Sequence, residues 1–171
     1  EVMNGKNVVN LDAVFSALLT FLKETPVKSV AVAQGGDFIG GASSPSTIRN
    51  TLKMRRKCMN SFVCSVDRPF KFVGRINEDV NTYTHEASKG ALFVTTSAVA
   101  LIQPTTQSNS GGMTEMYLDN GTYVKSFYSV MYQPSSVKVW LMATTKHARL
   151  HHEVNWRHTV PQILDESKKK R

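Results

Sequence analysis

The chain has 171 residues, 41% hydrophobic and 20% charged, enough for one buried core and too apolar for a disordered chain. Twenty-one Lys and Arg stand against 13 Asp and Glu, a net charge of +8, which favours nucleic acid, nucleotide phosphates or an anionic surface as partner. No apolar run approaches the roughly 18 residues that span a bilayer, and Cys58 and Cys64 form no CxxC pair or Cys/His metal spacing, so no membrane partner, no structural zinc and a reducing, cytoplasmic compartment are expected.

In chain order, the first element is a helix. Leu11, Val14, Phe15, Leu18, Leu19 and Leu22 recur at helical spacing, with Asn10 as N-cap and Pro26 beyond the end. Residues 28–33 read as a short, mostly buried strand that runs into Gly35-Gly36-Asp37-Phe38-Ile39-Gly40-Gly41. Such glycines imply tight turns or close approach to a ligand, but they match neither a Walker A loop nor a dinucleotide fingerprint. Residues 46–62 are expected as a helix. On its wheel Ile48, Leu52, Met59 and Phe62 line one stripe with Arg55 in the middle, beside a polar face of Arg49, Lys53, Arg56 and Asn60. A guanidinium on an apolar stripe is either salt-bridged in the core or aimed at a ligand; a basic face is otherwise a solvated one.

Phe70-Lys71-Phe72-Val73-Gly74-Arg75-Ile76-Asn77-Glu78-Asp79-Val80-Asn81 then reads as an apolar strand ending in acidic and amide side chains. Carboxylates clustered at a strand end cost stability unless they hold something, and hard oxygens suit Mg2+ or Mn2+ on a diphosphate. A solvated loop is the alternative. Residues 91–103 follow as a β-branched strand, residues 105–115 as a long polar loop, and Val124, Phe127, Tyr128 and Met131 as a helix stopped by Pro134. Residues 137–141 alternate as a strand, and the chain closes on His147, His151, His152 and His158 with Trp156 among them. With no internal repeat and no linker, one α/β domain over residues 1–165 is expected, followed by a solvated basic tail at 166–171. The start at Glu1 rather than methionine reads as that of a fragment.

The stretches Lys53-Met54-Arg55-Arg56-Lys57-Cys58-Met59-Asn60-Ser61, Gly74 to Tyr83, Gly111-Gly112-Met113-Thr114-Glu115, Val124 to Met131 and Arg149-Leu150-His151-His152 come in a telling order. Over roughly residues 36 to 165 the chain resembles the TET/JBP-associated glycosyltransferases of bacteriophages, a group within the GT-A fold. The resemblance implies a GT-A-like (Rossmann-like) mixed sheet flanked by helices. It also implies sugar transfer from a nucleotide-sugar such as UDP-glucose to hydroxymethylated pyrimidines in phage DNA, inside the infected bacterium. Only one strand precedes the basic helix, so part of the N-terminal nucleotide-binding unit is expected to be abbreviated or absent.

On that resemblance, Asn77 and Glu78 belong to the donor site and Asp79 is the metal ligand, with Asn81 and one of His151 and His152 completing the shell. Adjacent histidines on a strand point to opposite faces, so one of the two is expected to serve. Glu78 and Asn81 replace aspartates of the common pattern, and Asn81 is a weaker, neutral ligand. Arg55 and Arg56 would neutralise phosphate with their forked donors. Glu115 is the candidate base, with Asp119 as fallback and helix-dipole complementation as the bland role for Glu115. Gly111 and Gly112 would line the acceptor side, with Tyr83 and Trp156 (and Tyr117) as rings for a base to stack on, although aromatics more often belong to the core. The rival reading is a non-catalytic basic nucleic-acid-binding module or an inactive glycosyltransferase-like domain.

Overall fold

The computed structural model describes residues 7–34, 52–54, 58, 61–102, 114–143 and 148–159. Two compact units divide the chain: Glu1–Phe70 with Ala91–Gln103, and Lys71–Gly90 with Pro104–Arg171.

The first unit opens on helix α1, Leu11–Glu24. Asn10 caps it as expected, its Oδ1 accepting from Ala13 N at 3.0 Å. Only part of the apolar stripe is covered: Leu18 and Leu22 are buried, while Leu11, Phe15 and Leu19 are exposed. Strand β1, Ser29–Ala33, is the centre of a four-stranded mixed sheet in the order β2-β4-β1-β3. It runs parallel to β4, Phe93–Ala100, and antiparallel to β3, Phe62–Cys64. Strand β2, Leu52–Lys53, pairs antiparallel with the far edge of β4, Leu52 opposite Thr96 and Lys53 opposite Thr95. The core gathers Leu22, Val27, Leu92 and Val94, with Phe21 and Val63 packed against them. Phe70 closes one side, its ring edge-on to Phe93 at 5.1 Å. Arg68 ties the helix to this core: Nε donates to the Val27 carbonyl at 3.0 Å and Nη2 to the Leu22 carbonyl at 2.6 Å. It satisfies one of the orphan carbonyls at the end of α1.

The helix expected over residues 46–62 is corrected at the positions described. Leu52 and Lys53 are extended because β4 offers them ladder hydrogen bonds, and Phe62 lies in β3. Nonlocal pairing overrode a local wheel.

The second unit holds helix α2, Glu78–Ser88, helix α3, Thr114–Tyr132, and a hairpin of β5, Val137–Ala143, with β6, Ala148–Val154. The expected strand ending in carboxylates is also corrected: Glu78 and Asp79 form the first turn of α2. Gly74 at φ +87° and Asn77 at φ +54° take positive φ values that no strand contains. Gly74 sits where a Cβ would come within 2.6 Å of Asn81 Nδ2 and 2.9 Å of the Tyr128 ring. The polar stretch at 105–115 was expected as loop to its end, yet α3 already begins at Thr114. Among its described side chains the buried ones are Ser126 and Ser129, whereas Phe127 and Met131 of the expected apolar stripe are exposed. Small side chains let α3 lie close to β6, and the Ser126 hydroxyl donates to the Leu150 carbonyl at 3.3 Å.

Candidate functional site

The first unit offers a strand-end site. In open α/β sheets ligands bind outside the carboxyl ends of parallel strands, and β1 and β4 are adjacent parallel strands at the sheet's centre. Their ladder is regular from Ser29 opposite Phe93 to Val32 opposite Thr96, then jumps so that Ala33 faces Ala100. The Leu101 N–H donates to the Ala33 carbonyl at 2.8 Å and closes the irregularity. Such bulges re-aim the chain at sheet rims and beside active sites. Buried Gln34 leads from β1 into the glycine-rich stretch 35–41, which lies outside the described residues.

The second unit offers a polar cluster. Asn77, at the N-cap of α2, makes no capping bond with its own helix. Its Nδ2 donates instead to the Lys125 carbonyl at 3.0 Å and to Ser129 Oγ at 3.0 Å, and lies 3.3 Å from His152 Nδ1. An amide nitrogen has two protons, so the two shorter contacts take them and His152 is an outer neighbour. The adjacent ring, His151, directs Nδ1 at the His152 carbonyl, 2.7 Å away. A carbonyl only accepts, so Nδ1 carries a proton. The two rings stand 4.4 Å apart, closer than simple alternation along a strand implies.

The remaining expected site residues are dispersed. Asp79 Oδ1 accepts from the N–H of Val80 at 2.7 Å, a local bond within the helix start. Glu78 is exposed beside it. Asn81 is fully buried, and its Nδ2 donates to the Ile76 carbonyl at 2.8 Å and, more weakly, to the Val73 carbonyl at 3.3 Å. Its Nδ2 clamps the turn around Gly74, while Oδ1, the atom a metal would take, is buried and accepts no hydrogen bond among the described residues. Tyr83 is 2% exposed and edge-on to Phe72, a core ring rather than a stacking surface. Trp156 lies partly buried in the turn after β6, its carbonyl accepting from Thr159 Oγ1 at 3.2 Å. Glu115 falls in the first turn of α3, and Asp119 is exposed one turn further on. Arg55, Arg56, Gly111 and Gly112 lie outside the described residues.

Among the described residues no three His, Cys, Asp or Glu side chains converge on a point that could hold a metal ion. Asp79, His151 and His152 thus form no such group.

A profile of the TET-associated glycosyltransferases matches residues 2–112, well over half of the 171-residue chain. The chain belongs to the TET-associated glycosyltransferase family. The match takes in the whole β1/β4 sheet and α2. No match was found among curated proteins or solved structures. No helix among the described residues is long and apolar enough to cross a membrane.

Two features escaped the sequence reading. Ser129 pairs with Asn77 from 52 positions away, and nothing local marks Ser129. Trp140 is half exposed on β5, and the alternation of residues 137–141 already placed it opposite the buried parity of Val137.

Proposed function

We propose that this protein is a GT-A-like glycosyltransferase that moves a sugar from a nucleotide-sugar to hydroxymethylated pyrimidines in DNA, in the cytoplasm of a phage-infected bacterium. Membership of the TET-associated glycosyltransferase family carries the proposal. The central parallel strands support it, because β1 runs in sequence straight into the glycine-rich stretch, and the carboxyl ends of such strands are where α/β sheets bind ligands. The net charge of +8 suits both a nucleoside diphosphate and a DNA acceptor.

In the transfer, the acceptor hydroxymethyl oxygen bonds to the anomeric carbon as the bond from that carbon to the diphosphate breaks. The nucleoside diphosphate leaves with the electron pair, through an oxocarbenium-like transition state. Arg55 and Arg56 are proposed to stabilise its charge. The acceptor proton passes to a carboxylate, Glu115 with Asp119 as the fallback. Asn77 and Glu78 are proposed on the donor side. A metal, if the enzyme uses one, would add charge stabilisation at the diphosphate.

Calorimetric titration of UDP-glucose and UDP, with and without Mn2+, tests the donor. Transfer of labelled glucose to hydroxymethylcytosine-containing DNA, with unmodified DNA as control, tests the reaction. Binding followed by transfer to the modified DNA alone is expected. Absence of transfer from every common nucleotide-sugar, with DNA binding intact, would overturn the proposal.

One observation favours the rival reading of a non-catalytic nucleic-acid-binding or inactive domain: Glu78 and Asp79 sit in a helix's first turn, where carboxylates complement the dipole with no ligand at all. DNA affinity without any nucleotide-sugar binding would select it.

A further inference from the structure

The β5–β6 hairpin lies beyond residues 2–112, the part matched by the family. Strand β5 is buried at its start and open further along, where Leu141 is also 58% exposed. Val137 is 2% exposed, whereas Trp140, on the opposite parity, is 52% exposed. Lys138 shares the face of Trp140, two residues away, and its Nζ stands 5.4 Å from the indole centroid. Across the ladder Lys138 faces Glu153 and Trp140 faces His151. The Lys138 ammonium lies 3.0 Å from a Glu153 carboxylate oxygen, with both side chains at least half exposed.

A large ring left half in water on a strand face contributes little to a core. Its flat surface, with a cation beside it, has the chemistry of a stacking platform: every nucleobase offers a π face, and the neighbouring phosphate needs a positive charge. The Lys138–Glu153 pair does not block this use. Exposed ion pairs are worth only about 0–1 kcal/mol, so a phosphate can take the place of Glu153 on the ammonium. The chain's net charge of +8 draws a polyanion towards it.

We propose that the outer face of the β5–β6 hairpin binds single-stranded DNA, with one unpaired base stacked on Trp140 and an adjacent phosphate held by Lys138. The choice of DNA rests on the function proposed above. The surface would present an acceptor base that has left the duplex stack, as chemistry on a base requires.

The test is fluorescence anisotropy of a short labelled oligothymidylate with the full chain, at two salt concentrations and without any nucleotide-sugar. Trp140→Ala should weaken binding about tenfold, and Trp140→Phe should restore most of it. Glu153→Gln should tighten binding about two- to fivefold and steepen its salt dependence, because it frees Lys138 for phosphate. Trp140→Ala affinity within about twofold of the parent overturns the proposal, as does failure of the parent to bind the oligonucleotide. A protein partner seated on Trp140 would give the first of those results. Should Trp140→Ala not fold, Trp140→Leu, which keeps apolar bulk without a π face, and Glu153→Gln decide: affinity unchanged in both would also overturn it. Because no donor is present, failure of sugar transfer leaves this result standing, and transfer with unaltered oligonucleotide affinity in Trp140→Ala removes the platform alone.

Discussion

The side-chain amide of Asn77 donates to Ser129 Oγ at 3.0 Å, joining residues 52 positions apart. It pins the start of α2 to the middle of α3, and a second bond from the same nitrogen to the Lys125 carbonyl, also 3.0 Å, fixes the amide's orientation. Asn77 is also the only non-glycine residue among those described with a positive φ, +54°. Asparagine enters that left-handed region more readily than most side chains.

Replacing Asn77 by Ala therefore removes two bonds and leaves a strained backbone. The expected loss is about 2–4 kcal/mol in urea unfolding of the full chain. Asn77→Gly loses the same bonds without the backbone strain, so it should remain about 1 kcal/mol more stable than the Ala variant. Equal stabilities for the two would mean that the left-handed conformation is not retained in solution.

Gly74 and Gly90 separate strain from crowding. Both have positive φ, +87° and +99°. A Cβ on Gly74 would collide with Asn81 and Tyr128, whereas one on Gly90 would meet nothing within 4 Å. Gly90→Ala should cost about 1 kcal/mol, from the backbone alone, and Gly74→Ala clearly more than that. Thermal unfolding of both variants, read side by side, checks the order; a reversed order would refute the packing around Gly74.

Arg68 bonds two carbonyls with two different nitrogens, Nε to Val27 and Nη2 to Leu22. A lysine carries one nitrogen and cannot span both. Arg68→Lys is thus expected to lose about 1–2 kcal/mol despite keeping the charge. Faster hydrogen exchange at the C-terminal turn of α1 should accompany it. Unchanged exchange would show that the guanidinium does not hold the helix end.

Asp79 sits in the first turn of α2 with Oδ1 on the Val80 N–H at 2.7 Å. Asp79→Asn should cost about 0.3–1 kcal/mol, less at high salt, because it removes a charge from the positive end of the helix. UDP affinity, titrated with and without Mn2+, should stay within about twofold of the parent. Loss of Mn2+-dependent nucleotide binding with little change in stability would instead make Asp79 a metal ligand.

Tyr132 predicts a spectroscopic effect. A side-chain hydrogen bond with Tyr128, followed by desolvation, raises its phenol above the usual value of 10.0. A raised value in the folded state stabilises the fold below the unfolded pKa, and that contribution is lost as pH rises through the folded one. In ultraviolet titration, Tyr128→Phe should move the late part of the curve to lower pH. A late part unchanged by Tyr128→Phe would rule out the bond.

Much of this architecture is written locally. The Asn10 cap and the leucine spacing specify α1, and the β-branched runs at 29–33 and 93–100 specify the two parallel strands. Family membership was likewise legible in the order of short motifs. Where the sequence misled, the deciding partner was distant. Phe70 to Val73 alternates like a strand and the carboxylates follow it, but Gly74 and Asn77 turn the chain into a helix that α3 then anchors. Leu52 and Lys53 fit a helical wheel, yet their backbone groups found a better ladder on β4. On α3 the apolar period pointed to Phe127 and Met131, while the buried side is Ser126 and Ser129.

By itself, then, the sequence determined which segments can be helix or strand, the basic charge and the family, because these rest on spacing, propensity and composition along the chain. Only the tertiary structure decided that the Asn81 amide clamps the turn before α2 and that Tyr83 is core. Those assignments depend on which carbonyl, ring or solvent each side chain meets, and the groups that meet them come from elsewhere in the fold.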